Sequence, residues 1–286
     1  MRLYPTGFEE DHGLRSDFIR QLTIEQLEQR AAAETVLDRR EELIPRTLVQ
    51  YWHDRDDVPA DVRRCLETWH VLVNEGVTLR MFDDSSAHDY IAARFGQREV
   101  AAFERCRHPA MRSDYFRMCF VLADGGLYVD ADDVLVGEGW RDIFVGGKLK
   151  VQPLCFDVNA DGMVPAMEIR RIDLPTEGRI FYLNNNPMAA PANHPILRRA
   201  LTRATSILLG EDRDPEIQST TGPGNLTASL AAHAAEIQEK CAPPDYELLV
   251  NWDTTAESCW DLEYRNDARN WRNMNRFAPA TELGPQ

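Results

Sequence analysis

At 286 residues, with 43% hydrophobic and 28% charged positions, the chain has ample apolar matter for a packed core, which excludes a disordered or collagen-like polymer. Its 47 acidic against 32 basic residues give a formal charge of −15, a field that repels nucleic-acid backbones, and the arginines fall singly or in pairs rather than as a stripe. No apolar run is long enough to span a bilayer, no positively charged and then apolar leader opens the chain, and the six cysteines lack CxxC spacing; no membrane span, reduced thiols and a cytoplasmic setting are expected.

In chain order, Thr23 to Glu42 reads as a helix, opened by a Thr23/Gln26 capping box and carrying Leu27, Ala31, Ala32, Val36 and Leu37 near helical spacing. Its thin apolar seam suits packing on the domain better than recruiting a partner. Thr47 to Trp52 has strand character, Ala60 to Val73 reads as helix, and Val77 to Phe82 as a second strand. That alternation predicts a βαβ unit with a parallel sheet. Ser86 to Phe103 is expected to be helical and polar outside. His108 to Asp124 is apolar all round, so a helix there is buried on most sides; Gly125-Gly126 ends it and Leu127 to Val129 resumes as strand.

The second half reads as strands and turns from Leu149 to Leu183, then a helix from Pro195 to Leu209. A loop from Ser219 to Asn225 leads into a helix ending near Lys240, and Tyr246 to Val250 is a buried-type strand. From Arg265 the tail is polar and irregular, with Trp271 isolated in it. Asp157-Val-Asn159-Ala-Asp161-Gly162…Glu168 has the spacing of a calcium loop, but Pro153 and Pro175 flank it and neither side is convincingly helical. A tight turn between two strands is therefore expected. His194 before Pro195 reads as a helix-entry residue and Trp69 as core.

The chemistry-bearing constellation is Ser113-Asp114…Arg117…Gly125-Gly126-Leu127-Tyr128-Val129-Asp130-Ala131-Asp132. Asp114 and Arg117 stand three residues apart on one face of an apolar helix, where two buried charges need a partner or a ligand. The strand that follows delivers Asp130 and Asp132 at its C-terminal end, where open α/β sheets bind ligands. Asp-x-Asp there suits a hard divalent cation shared between carboxylate and diphosphate oxygens. Neither a Ser-His-Asp nor a Cys-His set is evident. Asn185 is either close to the reacting centre or a turn residue in an Asn-Asn-Asn-Pro run, and Thr221 either contacts the bound substrate or caps the next helix.

The segment RSDYFRMCFVLADGGLYVDADD resembles the sugar-binding region of glycosyltransferases with a DxD motif, above all the α-mannosyltransferase and capsular transferase group (family 32), and more distantly the glucosyltransferase domains of clostridial toxins. Ile44-Pro45…Gln50-Tyr51-Trp52, Trp69…Leu79-Arg80-Met81-Phe82-Asp83-Asp84, Asn185-Asn186-Pro187-Met188-Ala189-Ala190…His194-Pro195 and Thr221-Gly222-Pro223 resemble further segments of that group in the same order. Together they span 43–230, with Val49 where the group usually has His.

The resemblance implies an α/β chain of the GT-A class, a Rossmann-like nucleotide-diphospho-sugar transferase. It would comprise residues 41–286, divided into a nucleotide-sugar half (41–135) and an acceptor half (136–286), with 1–40 as an N-terminal helical extension. It also implies a Mn²⁺- or Mg²⁺-dependent transfer of a hexose, with retention, from a UDP- or GDP-linked donor to an acceptor that is a small metabolite, a glycan or a protein. On this reading Asp132 is the main metal ligand, and Asp130 binds the donor and reaches the metal through water. Arg117 and Asp114 grip sugar and phosphate, Tyr128 and Thr221 join the donor-binding set, Trp52 packs on the nucleobase, and Asn270-Trp271 completes the metal shell. A nucleotidyltransferase would need a Gly-rich basic loop after the first strand, where this chain has His-Asp-Arg-Asp-Asp. A non-catalytic carbohydrate- or calcium-binding module on the same fold would not need the intact Asp114, Arg117, Asp130 and Asp132 set.

Overall fold

The computed structural model describes residues 4–33 and 41–273. Helix α1 (His12–Ala33) comes first, then β1 (Thr47–Tyr51), α2 (Ala60–Thr68), β2 (Thr78–Phe82), α3 (Asp84–Arg94), α4 (Gln97–Glu104), α5 (Pro109–Asp124) and β3 (Gly126–Tyr128). The short β4 (Asp133–Leu135) precedes β5 (Leu149–Asp157), β6 (Gly162–Met163), α6 (Ala166–Ile169) and the long β7 (Arg179–Ala190). The chain closes with α7 (Pro195–Leu208), α8 (Ile217–Thr220), α9 (Pro223–Glu239), β8 (Tyr246–Leu248) and β9 (Ala256–Ser258).

One seven-stranded sheet runs in the order β2-β1-β3-β7-β5-β6, with β8 also on the outer edge of β5. The parallel sheet expected from the first half is there: β1 pairs in parallel with β2 and β3. The second half makes the sheet mixed, because β7 runs antiparallel to both β3 and β5, while β8 is parallel to β5. Side chains of β1 alternate between two cores. Val49 and Tyr51 face α5 with Phe116 and Phe120, while Leu48 faces the opposite core with Trp69, Leu127 and Trp252. The result is an α/β domain with a sheet packed on both faces. Among the described residues no helix is long and apolar enough to cross a membrane.

Several boundaries differ from expectation. The first helix starts at His12, not Thr23, and Thr23 is no cap. It is buried mid-helix with its hydroxyl donating to the Ile19 carbonyl, and Gln26 instead pairs with both backbone groups of Leu248, tying α1 to β8. The predicted stretch at 34–40, with Val36 and Leu37, lies outside the described residues. Gln97–Glu104 is a separate helix because Phe95 and Gly96 break the 86–103 run, and Gly96 supplies the N-cap backbone. Ala60–Val73 is helical only to Thr68, after which it tightens to a 3-10 segment, Trp69–Glu75. The 219–225 loop is instead the end of α8 and the start of α9. The β4–β9 pair was not foreseen.

Other expectations hold. Ten of the sixteen residues of α5 are buried, Asp114 and Arg117 among them. His194 caps α7, accepting from the Ile196 amide, and Trp69 is fully buried. Asp157 makes the expected turn, accepting from the amides of Asn159 and Ala160 (both 3.0 Å) and pairing with Arg179 at 2.9 Å.

Gly125 and Gly126 swing the chain from α5 into β3 at φ values of +71° and +116°, a region that favours glycine. A Cβ on Gly126 would meet the Thr47 carbonyl oxygen of β1 at 2.7 Å. Gly126→Ala is therefore expected to destabilise the fold by more than about 2 kcal/mol, adding overlap with a paired strand to the backbone cost; urea unfolding measures it.

Candidate active site

Two features of the fold converge at one rim. Parallel strands β1 and β3 both end there, handing on to Trp52 and Asp130, at the edge where open α/β sheets bind ligands. Antiparallel β7 passes the same point: its register pairs Tyr128 with Met188, which sets Asn186 and Asn185 beside Asp130. Accordingly, the Asp130 amide donates to the Asn186 side-chain oxygen (3.0 Å).

After β3 the chain makes a tight turn, closed by the Asp133 amide donating to the Asp130 carbonyl (3.2 Å). The turn sends three carboxylates to three sets of partners. Asp130 accepts from Arg117 (2.8 Å) and from the Tyr128 hydroxyl (3.2 Å). Asp132 accepts from Tyr264 and Arg265, both from the C-terminal segment. Asp133 is buried and accepts from Ser258 (2.7 Å) and Asn186 (2.9 Å).

Arg117 organises the floor. Its guanidinium also lies 3.0 Å from Asp114, donates to the Asn185 carbonyl (3.0 Å) and the Ser113 hydroxyl (3.0 Å), and stacks on the Tyr128 ring at 4.3 Å. Asn185 donates in turn to Asp114 (2.8 Å), which also accepts from Thr221 at 3.4 Å. Four of the residues singled out in the sequence, Asp114, Arg117, Asp130 and Asn185, thus form one connected network, with Tyr128 and Thr221 attached. The Arg117 side chain is only 4% exposed and that of Asp114 10%, whereas Asp130 is 31% exposed. Asp130 is therefore the member that presents an open carboxylate.

Burial sets the electrostatics. It pushes the Asp114 carboxyl up to about 6, a rise that the neighbouring Arg117 limits. Burial and the adjacent Asp130 raise Asp132, and burial with the Asp132 and Asp130 charges raises Asp133. Arg117 is held charged despite burial, because Asp130, Tyr128 and Asp114 outweigh the desolvation. An acidic turn this deep favours a cation.

The network opens into a cleft of about 580 Å³. It is lined by Trp52, His53 and the C-terminal residues Trp260, Tyr264 and Trp271, together with Gln152, Leu154, Met163 and Tyr182 of the β5–β7 region. Trp52 is 7% exposed: it packs with Val62, Cys65, Ala131 and Leu262, donates to the Asp57 carbonyl (3.1 Å) and meets Tyr264 edge-on at 5.2 Å. Trp271 is not isolated, since it lines the cleft and stacks with Arg272 at 4.7 Å. Asn270 also lines the cleft, but its amide donates to the Arg265 carbonyl (2.7 Å) and its oxygen accepts from the Arg272 amide, closing the tail on itself. Among the described residues no group of three or more His, Cys, Asp or Glu side chains is placed to hold a metal unaided.

Sequence reasoning passed over Asp133, Asn186, Tyr264 and Arg265. Asp133 was legible as a third consecutive-turn carboxylate, and Asn186 through its place in the Asn-Asn-Asn-Pro run. Nothing local marks Tyr264 and Arg265, which reach Asp132 from more than 130 positions away.

No protein-family model matches the chain, and no curated protein matches it. Among solved structures it is similar to the PaToxG glycosyltransferase, with a TM-score of 0.45 and 16% identity over 92% of this chain and 98% of that one. So distant a likeness carries no functional argument, which rests instead on the site.

Proposed function

We propose that the chain is a glycosyltransferase that moves a hexose from a UDP- or GDP-linked donor to an acceptor hydroxyl, with a divalent Mn²⁺ or Mg²⁺ ion and with retention. The observation that carries this reading is the buried Arg117 network presenting Asp130 beside Asp132 at the C-terminal rim of β1 and β3, at the floor of a cleft large enough for a nucleotide-sugar. The motif resemblance adds to it.

The donor set fits the ion. Two carboxylates, Asp130 and Asp132, are too few to hold a metal alone, but Mg²⁺ and Mn²⁺ commonly take one or two protein carboxylates and complete their shell with phosphate oxygens and water. Bound there, the ion would supply charge to a departing diphosphate. The protein's own part is orientation. Arg117 holds Asp130 and Asp114 in place, and its other donors are directed at Ser113 and Asn185, so it works as a positioning residue rather than a free phosphate clamp. Asp130, hydrogen-bonded on one oxygen and partly open, is the group available to sugar hydroxyls. Of the residues lining the cleft, Trp52 and Tyr264 offer aromatic rings to the nucleoside, and Gln152, Tyr182 and Met163 offer uncharged groups to the acceptor.

The test is nucleoside diphosphate release with Mn²⁺ across a panel of UDP- and GDP-hexoses, with thermal shift as a binding readout. One donor class should both raise the melting temperature and turn over. No stabilisation and no release by any donor, with or without metal, would overturn the reading.

A further inference from the structure

Asp132 already has a cation. The Arg265 guanidinium and the Tyr264 hydroxyl both donate to the same carboxylate oxygen, Oδ2, and the Arg265 and Asp132 side chains are each only 14% exposed. The contact is built from both sides. The Cys259 amide donates to the Asp132 carbonyl (2.8 Å), Arg265 Nε donates back to the Cys259 carbonyl (3.1 Å), and the guanidinium stacks on the Trp260 ring at 4.3 Å. The amides of Asn270 and Asn273 donate to the Arg265 carbonyl (2.7 and 2.9 Å), so the segment beyond is folded around this residue. Upstream, the Glu263 amide is anchored on Asp61 (2.7 Å) and Leu262 is buried beside Trp52.

A divalent ion and a guanidinium cannot share one carboxylate oxygen without strong like-charge repulsion at short range and low dielectric. We propose that Arg265 is an internal cation that competes with the divalent metal for Asp132, so that metal enters only as Arg265 withdraws from it. This deepens the glycosyltransferase reading and rests on its assignment of Asp132 to the metal. The C-terminal segment is then a latch over the donor site, and the order of residues 259–273 is linked to metal loading. The linkage is reciprocal: whatever displaces Arg265 favours metal, and metal releases Arg265.

Titration of the protein with Mn²⁺ alone, followed by loss of the free-ion EPR signal, tests this without any turnover. Arg265→Ala and Arg265→Gln are expected to bind Mn²⁺ about tenfold more tightly than the wild type, within the usual range of coupling between competing ligands. Both are checked for cooperative melting, and the Gln variant keeps polar bulk against Trp260. Asp132→Asn separates the two levels of the argument. If it loses Mn²⁺ while both Arg265 variants bind like the wild type or more weakly, the latch is wrong and the metal site stands. If Asp132→Asn binds Mn²⁺ unchanged, Asp132 is no metal ligand and the latch and the metal assignment fall together.

Discussion

Asp132→Asn should lose catalysis by at least about 10²–10³-fold while still melting cooperatively, at a temperature lowered by the loss of its ion pair with Arg265. The substitution keeps the size of the side chain and an oxygen able to accept from Tyr264 and Arg265. What it removes is a charge that is buried and crowded by Asp130, conditions that already push the carboxyl above its ordinary value. Relief of that crowding is set against the loss of the ion pair with Arg265, so the protein should be lowered in stability but still fold cooperatively. On the proposed function the substitution should cost the chemistry a great deal, because a neutral amide oxygen would not replace a carboxylate toward a divalent ion shared with a diphosphate. Release of nucleoside diphosphate, measured alongside calorimetric melting, separates the two effects; full activity in this variant would end Asp132's assignment to the metal.

Arg117→Ala should be the most damaging single change to the floor of the cleft, destabilising the protein by about 3–5 kcal/mol, because it strands the buried Asp114 charge without its counter-ion. Asp130 loses its strongest partner in the same step, so turnover falls even in the fraction that remains folded. A double-mutant cycle apportions these effects. Replacing both Arg117 and Asp114 by apolar residues should cost less than the sum of the single changes, since the only carboxylate left without its guanidinium is the partly exposed Asp130.

The pH dependence has a definite sign. Asp114 titrates near 6 in the folded protein, raised by burial above its ordinary 3.8, so the stability it contributes is complete below pH 4 and is lost as pH rises through 6. Without Arg117 only the hydrogen bonds from Asn185 and Thr221 oppose the burial, and the carboxyl is driven further toward its neutral form. The stability deficit of Arg117→Ala should therefore be largest above pH 7 and shrink on acidification toward pH 5. Urea unfolding of both proteins at pH 5 and 7.5 measures it; a deficit that grows toward pH 5 would contradict the assignment of Asp114 as the stranded charge.

Much of the site could be read in advance, and for local reasons. Asp114 and Arg117 are bound to share a face of α5 by helical spacing, and Gly125-Gly126 turns that helix directly into β3, so Asp130 and Asp132 must emerge within a short distance of it. Those relations span under twenty residues. Asn185, 68 residues from Arg117, was marked by its conspicuous run of asparagines but read as a turn residue or a group near the reacting centre; its place in β7 and its partner emerged only with the β3–β7 register. The errors also have physical causes. The Thr23/Gln26 pair imitated a capping box, yet Thr23 lies inside the helix with its hydroxyl on the Ile19 carbonyl, Gln26 reaches Leu248, and no local pattern reports on that tertiary pairing.

Sequence alone was enough to define an α/β chain, its buried central helix and the charged residues on the rim beyond it, because periodicity, glycine turns and i,i+3 spacing act over one or two elements. It could not say that β7 reverses the sheet, that Arg117 is fully engaged by protein acceptors, or that the tail returns to put Arg265 on Asp132. Those are outcomes of strand register and long-range packing. Burial and the choice of counter-ion depend on which distant segments meet, and that is decided only when the whole chain has folded.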